Sequence, residues 1–282
     1  MKQLLLVLSL SSVLSFALQL PLPRNNAMPE FLPDTFTPDF DFTGIVGLSN
    51  CSGSLLKLET SSDNDLALVM TNGHCVESGF PAPGTFIYEK PSTRSLKVFG
   101  VNTGISTLVA ATKIVYATMT KSDVTLYRVN ATYKQIKDKA PGIEALTLSS
   151  QHATPNTNIE VISGYWKLGY RCHIDGFVYN LKEAGWTWED SIRYSKPGCE
   201  VIHGTSGSPI VEAGTRKVIG INNTGNDDGE KCTMNNPCEV DEKGNVSYQK
   251  GTSYGQQTYW IYSCLNKQNQ FDPNVPGCKL PH

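Results

Sequence analysis

The stretch GTSGSP at residues 204–209, followed by the apolar run IVEAGTRKVIGIN at residues 210–222, decides the fold. Glycines close to Ser206 on both sides allow a tight turn that presents one serine hydroxyl. The conformation that Gly204 permits would also let the backbone N–H groups of Gly204 and Ser206 converge on one point, where they could stabilise an oxyanion. Ser206 is therefore predicted to be a nucleophile, with an ordinary hairpin loop as the alternative.

Two upstream segments supply the other groups that an activated serine needs. TNGHC at residues 71–75 places His74 at the end of an apolar strand, and SDVTLYRV at residues 122–129 places Asp123 at the start of another. A base must accept the hydroxyl proton, and a carboxylate must orient that base. Taken separately, His74 could be a surface histidine and Asp123 a structural aspartate. Together with Ser206 they predict a catalytic triad.

The order of the three residues along the chain separates two classes of hydrolase. An α/β-hydrolase nucleophile elbow requires G-x-S-x-G, and its triad runs serine, acid, histidine. Here residue 208 is serine instead of glycine, and the order is histidine, aspartate, serine. The sequence therefore excludes that hydrolase class.

Charge and targeting signals limit the partners and the compartment. The 282-residue chain has a formal net charge of −2 with scattered Lys and Arg, so neither nucleic acid nor an anionic membrane is an expected partner. Residues 1–17 combine Lys2, a leucine-rich core and small residues near Ala17, which is the pattern of a cleaved secretory signal peptide. The alternative, an uncleaved anchor, would need a longer apolar run of roughly 20 residues. We expect a secreted protein without a membrane span after signal removal.

The eight cysteines all follow this segment, and an even number in an exported chain predicts disulfides. Because none forms a C-x-x-C pair, a metal site is a weak alternative, and the loop CTMNNPC at residues 232–238 is interpreted as a small disulfide loop. No metal or cofactor is expected. Sequence neighbourhood favours the pairs Cys51–Cys75, Cys172–Cys199, Cys232–Cys238 and Cys264–Cys278.

Alternating and apolar runs separated by turn residues predict an all-β protein in two halves. The runs are GIVGL (44–48), SGSLLKLE (52–59), DLALVMTN (65–72), GTFIYEK (84–90), SLKVFGV (95–101), STLVAATKIVYAT (106–118), DVTLYRV (123–129), IEVISGYW (159–166), GFVYNLK (176–182), KVIGIN (217–222) and QTYWIYS (257–263). The predicted organisation is a signal peptide (1–17), a proline-rich propeptide or N-terminal arm (18–44), an N-terminal half (45–135), a connector (136–157), a C-terminal half (158–264) and a disulfide-tied tail (265–282).

Several motifs resemble those of the chymotrypsin-like (trypsin-like) serine peptidases. The matches are CSGSLL (51–56) with CGGSLI, TNGHC (71–75) with TAAHC, DVTLYRV (123–129) with DIALLRL, IEVISGYW (159–166) with V-x-V-S-G-W, and GTSGSP (204–209) with GDSGGP. The resemblance implies two six-stranded antiparallel β-barrels with the active site in the cleft between them. It also implies His74 as general base, Asp123 as its orienting carboxylate, Ser206 as nucleophile, and the Gly204 and Ser206 N–H groups as the oxyanion hole.

The chain departs from the animal members of that family in two places. Thr205 stands where they carry an aspartate that pairs with the new N-terminus after zymogen cleavage, so GTSGSP is closer to the bacterial V8-like, glutamyl-endopeptidase-like branch. IVG at residues 45–47 resembles an activation sequence, but its closeness to Cys51 favours part of a first strand. The sequence thus predicts no trypsin-type activation switch.

The resemblance also suggests a specificity pocket. Glu200 lies near the position where trypsin-like members place the acid at the pocket base, which would favour Lys or Arg at the cleavage site. Glutamyl endopeptidases have a histidine about where Asn222 stands, so a preference for glutamate is not supported. The other predicted pocket residues are His203, Asn222, Asn223, Thr224 and Gly225.

These observations predict a monomeric, secreted serine endopeptidase that acts on polypeptides through an acyl-enzyme intermediate. Two alternatives remain open at this point. One is a catalytically silent homologue that binds partners, and the other is an esterase on the same scaffold. A silent homologue would not react with a covalent serine probe, whereas an active peptidase would. Ester turnover without peptide turnover would identify the esterase.

Overall fold

The computed structural model describes residues 40–282. The predicted signal peptide and residues 18–39 of the predicted arm lie outside the described residues. Within residues 40–282 the strands are β1 (Ile45–Gly47), β2 (Ser52–Lys57), β3 (Leu66–Thr71), β4 (Phe86–Pro91), β5 (Ser95–Phe99), β6 (Ser106–Thr118), β7 (Val124–Thr132), β8 (Leu146–Leu148), β9 (Asn158–Ser163), β10 (Leu168–Glu183), β11 (Trp186–Tyr194), β12 (Pro209–Glu212), β13 (Lys217–Gly225), β14 (Cys238–Val240), β15 (Val246–Ser247) and β16 (Ser253–Gln257). The helices are α1 (Tyr133–Lys139) and α2 (Trp260–Ser263), and Gly73–Cys75 forms one 3₁₀ turn.

The first six-stranded barrel is closed by antiparallel pairing in the order β1-β2-β3-β7-β6-β5-β1. Its strands are rich in Val, Leu and Thr, which fit a half-buried pleated surface. In β5, for example, Leu96 and Val98 are fully buried while the intervening Lys97 is exposed. This alternation points one face of each strand into the barrel interior, as a period of two requires.

The second barrel closes in the order β9-β10-β11-β16-β13-β12-β9, again with antiparallel pairs throughout. Its interior includes Val161, Ile174, Ile192 and Ile210, all fully buried. The predicted all-β fold of two six-stranded antiparallel barrels is therefore confirmed.

The connection between the barrels adds pairing that the sequence did not indicate. It begins with α1 at Tyr133, slightly before the predicted start at residue 136, and Thr132 with Gln135 forms a capping box at its N-terminus. The short strand β8 then pairs in parallel with β2 of one barrel and β13 of the other. Both barrels consequently share one hydrogen-bonded sheet at this point.

The C-terminal residues differ from expectation. QTYWIYS (257–263) is predicted as a strand, but α2 occupies most of it, and Trp260 and Ile261 of this helix are buried in the apolar cluster between the barrels. A short apolar run does not distinguish a buried helical turn from a strand, and this explains the error. The tail continues across the first barrel, where the Tyr116 hydroxyl donates a 2.8 Å hydrogen bond to the Pro281 carbonyl.

All eight cysteines form disulfides, and the bridges are the four that sequence neighbourhood favours: Cys51–Cys75, Cys172–Cys199, Cys232–Cys238 and Cys264–Cys278. Their presence suggests an oxidising compartment, extracellular or periplasmic. In the part of the chain that the structure describes, no helix combines the length and apolar character needed to cross a membrane.

Candidate active site

His74 lies on the 3₁₀ turn that follows β3, directly before Cys75. The Cys51–Cys75 disulfide fixes this turn against β2, because Cys51 immediately precedes that strand. The His74 side chain keeps about 20% of its surface exposed and lines a cleft of about 300 Å³. The ring is therefore held in place but remains reachable. The adjacent sulfur atoms are bonded to each other, so they supply no thiolate and do not form a metal site with His74.

Asp123 holds His74 through two contacts. Its side chain is fully buried, and its Oδ2 accepts a 2.7 Å hydrogen bond from His74 Nδ1. Its Oδ1 accepts from the His74 backbone N–H at 3.1 Å. The Asn72 side-chain amide donates to the Asp123 carbonyl at 2.8 Å and fixes the backbone there. A proton on Nδ1 leaves Nε2 unprotonated in the neutral ring, and this is the form that a general base requires.

The electrostatics of His74 follow from these contacts. Burial disfavours the charged imidazolium and lowers its pKa, but the charge of Asp123 and its hydrogen bond raise it. The net effect is a His74 pKa above the ordinary value of 6.5. The same carboxylate therefore orients the ring and stabilises its charged form.

A pH dependence follows from this raised pKa. A general base works only when it is deprotonated, so kcat/KM for a substrate without ionisable groups is expected to fall as the pH drops through the His74 pKa. The midpoint of this fall is expected above 6.5, which is the ordinary histidine value. Steady-state kinetics between pH 5 and pH 9, roughly the range in which histidine titrates, measure it. A midpoint at or below the ordinary value would contradict the stabilisation of the His74 imidazolium by Asp123.

Ser206 lies in a turn that only glycine at position 207 allows. Gly207 has φ of +81°, and a Cβ atom there would lie 2.2 Å from the Ser52 carbonyl oxygen. The Ser206 hydroxyl opens into the same cleft as His74 and donates a 3.3 Å hydrogen bond to the Asn223 carbonyl. Across residues 40–282 this is its one hydrogen bond, so the hydroxyl does not donate to His74 in this arrangement. Catalytic hydrogen bonds often form only when substrate binds.

The predicted oxyanion donors are free and held in position. Neither the Gly204 N–H nor the Ser206 N–H donates to an acceptor within the described residues. The indole N–H of Trp166 donates to the His203 carbonyl at 2.6 Å, and the Ser52 hydroxyl donates to the Gly204 carbonyl at 3.0 Å. These contacts fix the peptide planes on both sides of Gly204. Sequence analysis did not find these two positioning side chains, because each lies far from residue 204 in the chain.

The predicted pocket residues do not all lie together. The cleft is lined by His203, Asn222, Asn223, Thr224 and Gly225, together with His74 and Ser206. Glu200 does not line it: its side chain is exposed and accepts a 2.9 Å hydrogen bond from the Gly198 N–H. The neighbouring Cys199 turns inward to its disulfide with Cys172, so the next side chain faces solvent.

His203 has a partner that the sequence did not suggest. Its exposed ring donates from Nε2 to Asp227 Oδ2 at 2.7 Å, and this hydrogen bond raises the His203 pKa above its ordinary value. Both residues line the cleft. The pair therefore brings a second carboxylate to the cleft with its charge balanced by a histidine.

Glu183, at the end of β10, is the main cleft residue that sequence analysis missed. It is 5% exposed, and its carboxylate accepts hydrogen bonds from the Thr224 hydroxyl at 2.7 Å and from the Asn235 N–H at 2.8 Å. Burial raises its pKa, against the opposite effect of these two hydrogen bonds. No local motif marks this residue, because only the pairing of β10 with its neighbours brings it beside Thr224.

A model of a known protein family covers the residues that form this site. Residues 51–221, more than half of the chain, match the family model of the trypsin-like peptidase domain. No curated protein sequence matches the chain.

Solved structures with similar folds include the MamO protease domain from Magnetospirillum magneticum, with 16% identity, a TM-score of 0.49, and coverage of 80% of this chain and 97% of that one. They also include neuropsin from mouse brain (12% identity, TM-score 0.44, coverage 78% and 93%) and the Nocardiopsis protease NAPase (15% identity, TM-score 0.42, coverage 77% and 93%). On the family match, which contains His74, Asp123 and Ser206, this chain belongs to the trypsin-like peptidase family.

Proposed function

We propose that the chain is a secreted serine endopeptidase that hydrolyses peptide bonds through an acyl-enzyme intermediate. The observation that carries this proposal is the 2.7 Å contact between His74 Nδ1 and the buried Asp123 carboxylate in the cleft that also contains the Ser206 hydroxyl. A silent homologue has no need for a histidine with a raised pKa in the same cleft as a reachable serine. The predicted signal peptide and the four disulfides support secretion.

The geometry supports a mechanism in two halves. Ser206 Oγ attacks the substrate carbonyl carbon while His74 Nε2 accepts the hydroxyl proton, and Asp123 stabilises the resulting imidazolium. The Gly204 and Ser206 N–H groups stabilise the oxyanion, which collapses as the amide C–N bond breaks and His74 gives its proton to the leaving amine. Water then attacks the acyl-enzyme, with His74 as base, and releases the carboxylic acid product and free Ser206.

Covalent labelling tests this proposal. The secreted protein is treated with a fluorophosphonate, the modified peptide is identified by mass spectrometry, and the mature N-terminus is sequenced on the same sample. We expect modification of Ser206 alone, together with cleavage of unfolded protein substrates. Labelling with ester turnover but no peptide cleavage would indicate an esterase. A chain trimmed to about Gly44 that does not react would indicate the silent homologue and overturn the proposal.

A further inference from the structure

The cleft carries an unbalanced negative charge. Its lining includes three carboxylates, from Asp123, Glu183 and Asp227, but neither lysine nor arginine. Two of them are paired with histidines, Asp123 with His74 and Asp227 with His203, each at 2.7 Å. Glu183 forms no ion pair with any side chain of residues 40–282; its hydrogen-bond partners are a hydroxyl and a backbone amide. The net charge of the whole chain is only −2, so this imbalance is local.

The surroundings of Glu183 leave its carboxylate with neutral partners only. A buried carboxylate is costly unless a cation compensates it, and neutral donors orient the group without cancelling its charge. Thr224 and Asn235, which provide those donors, line the same cleft. The carboxylate is therefore fixed at the cleft surface and lacks a positive partner that a ligand could provide.

Aromatic side chains beside Glu183 suit the aliphatic stem of such a cation. Phe80, Trp186 and Trp188 all line the cleft, and the Phe80 ring lies 5.8 Å from the His74 ring and 5.9 Å from the Trp186 ring. Phe80 is 51% exposed, so part of its ring surface is open to a ligand in the cleft. Methylene groups of lysine or arginine pack on such rings, and the charged end gains from their π faces.

We propose that Glu183 is a specificity-determining residue that binds the cationic side chain of a lysine or arginine in the bound polypeptide. That this polypeptide is then cleaved rests on the proposed peptidase function. The acid differs in position from the predicted Glu200, because it comes from β10 and reaches the cleft through its contact with Thr224. An acidic side chain at the same place would meet the Glu183 carboxylate, which has no cationic partner among the described residues, and like-charge repulsion disfavours it.

Direct binding to an inactive protein tests the proposal independently of catalysis. The probes are hexapeptide libraries, acetylated and amidated at their ends, in which one position is fixed as either lysine or glutamine. Dissociation constants are measured on Ser206→Ala protein, alone and with Glu183→Gln or Glu200→Gln added. Glutamine is a close match at position 183, because its side-chain oxygen still accepts from the Asn235 N–H. Its NH₂ group donates to the Thr224 hydroxyl oxygen, which can accept a hydrogen bond as well as donate one. Glu200→Gln removes an exposed carboxylate outside the cleft and serves as the control.

We expect the lysine library to bind about 10- to 100-fold more tightly than its glutamine counterpart at one fixed position, as a hydrogen bond between charged groups provides. Glu183→Gln should abolish this ratio and leave the binding of glutamine peptides unchanged without lowering the melting temperature, whereas Glu200→Gln should keep the ratio. Equal binding of both libraries, or a ratio that survives Glu183→Gln, would overturn the proposal. If the ratio behaves as expected but wild-type protein cleaves nothing, the proposed function fails and the cation site stands.

Discussion

Replacement of Ser206 by alanine is expected to lower kcat for peptide hydrolysis by a factor on the order of 10⁶, because a triad without its nucleophile loses nearly all of its activity. The Oγ atom is the group that forms the covalent bond to substrate, and the other hydroxyl side chain that lines the cleft, Thr224, donates to the Glu183 carboxylate. Stability should hardly change, since the lost group makes one 3.3 Å hydrogen bond to the Asn223 carbonyl. Single-turnover kinetics and thermal unfolding measure the two effects.

Ser208→Ala is the matched control for this experiment. Ser208 belongs to the same turn, its hydroxyl is fully buried, and that oxygen has no hydrogen-bond partner among the described residues. Removal of a buried hydroxyl without a partner costs little. We expect this variant to keep wild-type kcat and to react with fluorophosphonate. An active Ser206→Ala protein, or an inactive Ser208→Ala protein of normal stability, would show that the nucleophile is misassigned.

The features that could be predicted from sequence share a local signature. His74, Asp123 and Ser206 each lie in a short segment whose neighbouring residues help to predict the role. His74 follows the end of a strand and precedes a cysteine, Asp123 directly precedes a strand, and Ser206 lies in a turn that requires glycine. The two-barrel fold follows from the same motifs. Sequence neighbourhood also gives the four disulfide pairs, because each joins cysteines that are adjacent along the chain.

The parts that could not be predicted depend on pairing between distant segments. Glu183 ends a strand of ordinary composition, and its place beside Thr224 results from closure of the second barrel. The strand β16, SYGQQ, is polar in sequence yet fully buried, because it closes the same barrel between β11 and β13. Counting residues back from Ser206 assigns Glu200 to the pocket only if the loop before the nucleophile points this side chain inward. Here Cys199 is buried in its disulfide with Cys172 and Glu200 is exposed.

Asp123→Asn tests the orienting carboxylate and should leave the fold intact while kcat falls by about 10⁴, as in triads generally. The asparagine NH₂ would donate to Nδ1 of His74, so the ring proton would move to Nε2. A protonated Nε2 cannot accept the proton of the serine hydroxyl. The Oδ1 contact with the His74 backbone N–H can persist, because an amide oxygen also accepts. Kinetics at saturating substrate, with circular dichroism on the same samples, measure the loss.

The pH profile distinguishes this mechanism from simple misfolding. Asp123 raises the His74 pKa, whereas burial lowers it, so loss of the charge should shift the acid limb of the residual activity toward lower pH. Asp190→Asn is the control, since Asp190 pairs with His152 at 3.0 Å outside the cleft and undergoes the same chemical change. It should keep wild-type kcat and an unshifted profile. Near-full activity of Asp123→Asn would mean that another carboxylate orients His74, and Glu183, whose charge also acts on that ring, would be the next to test.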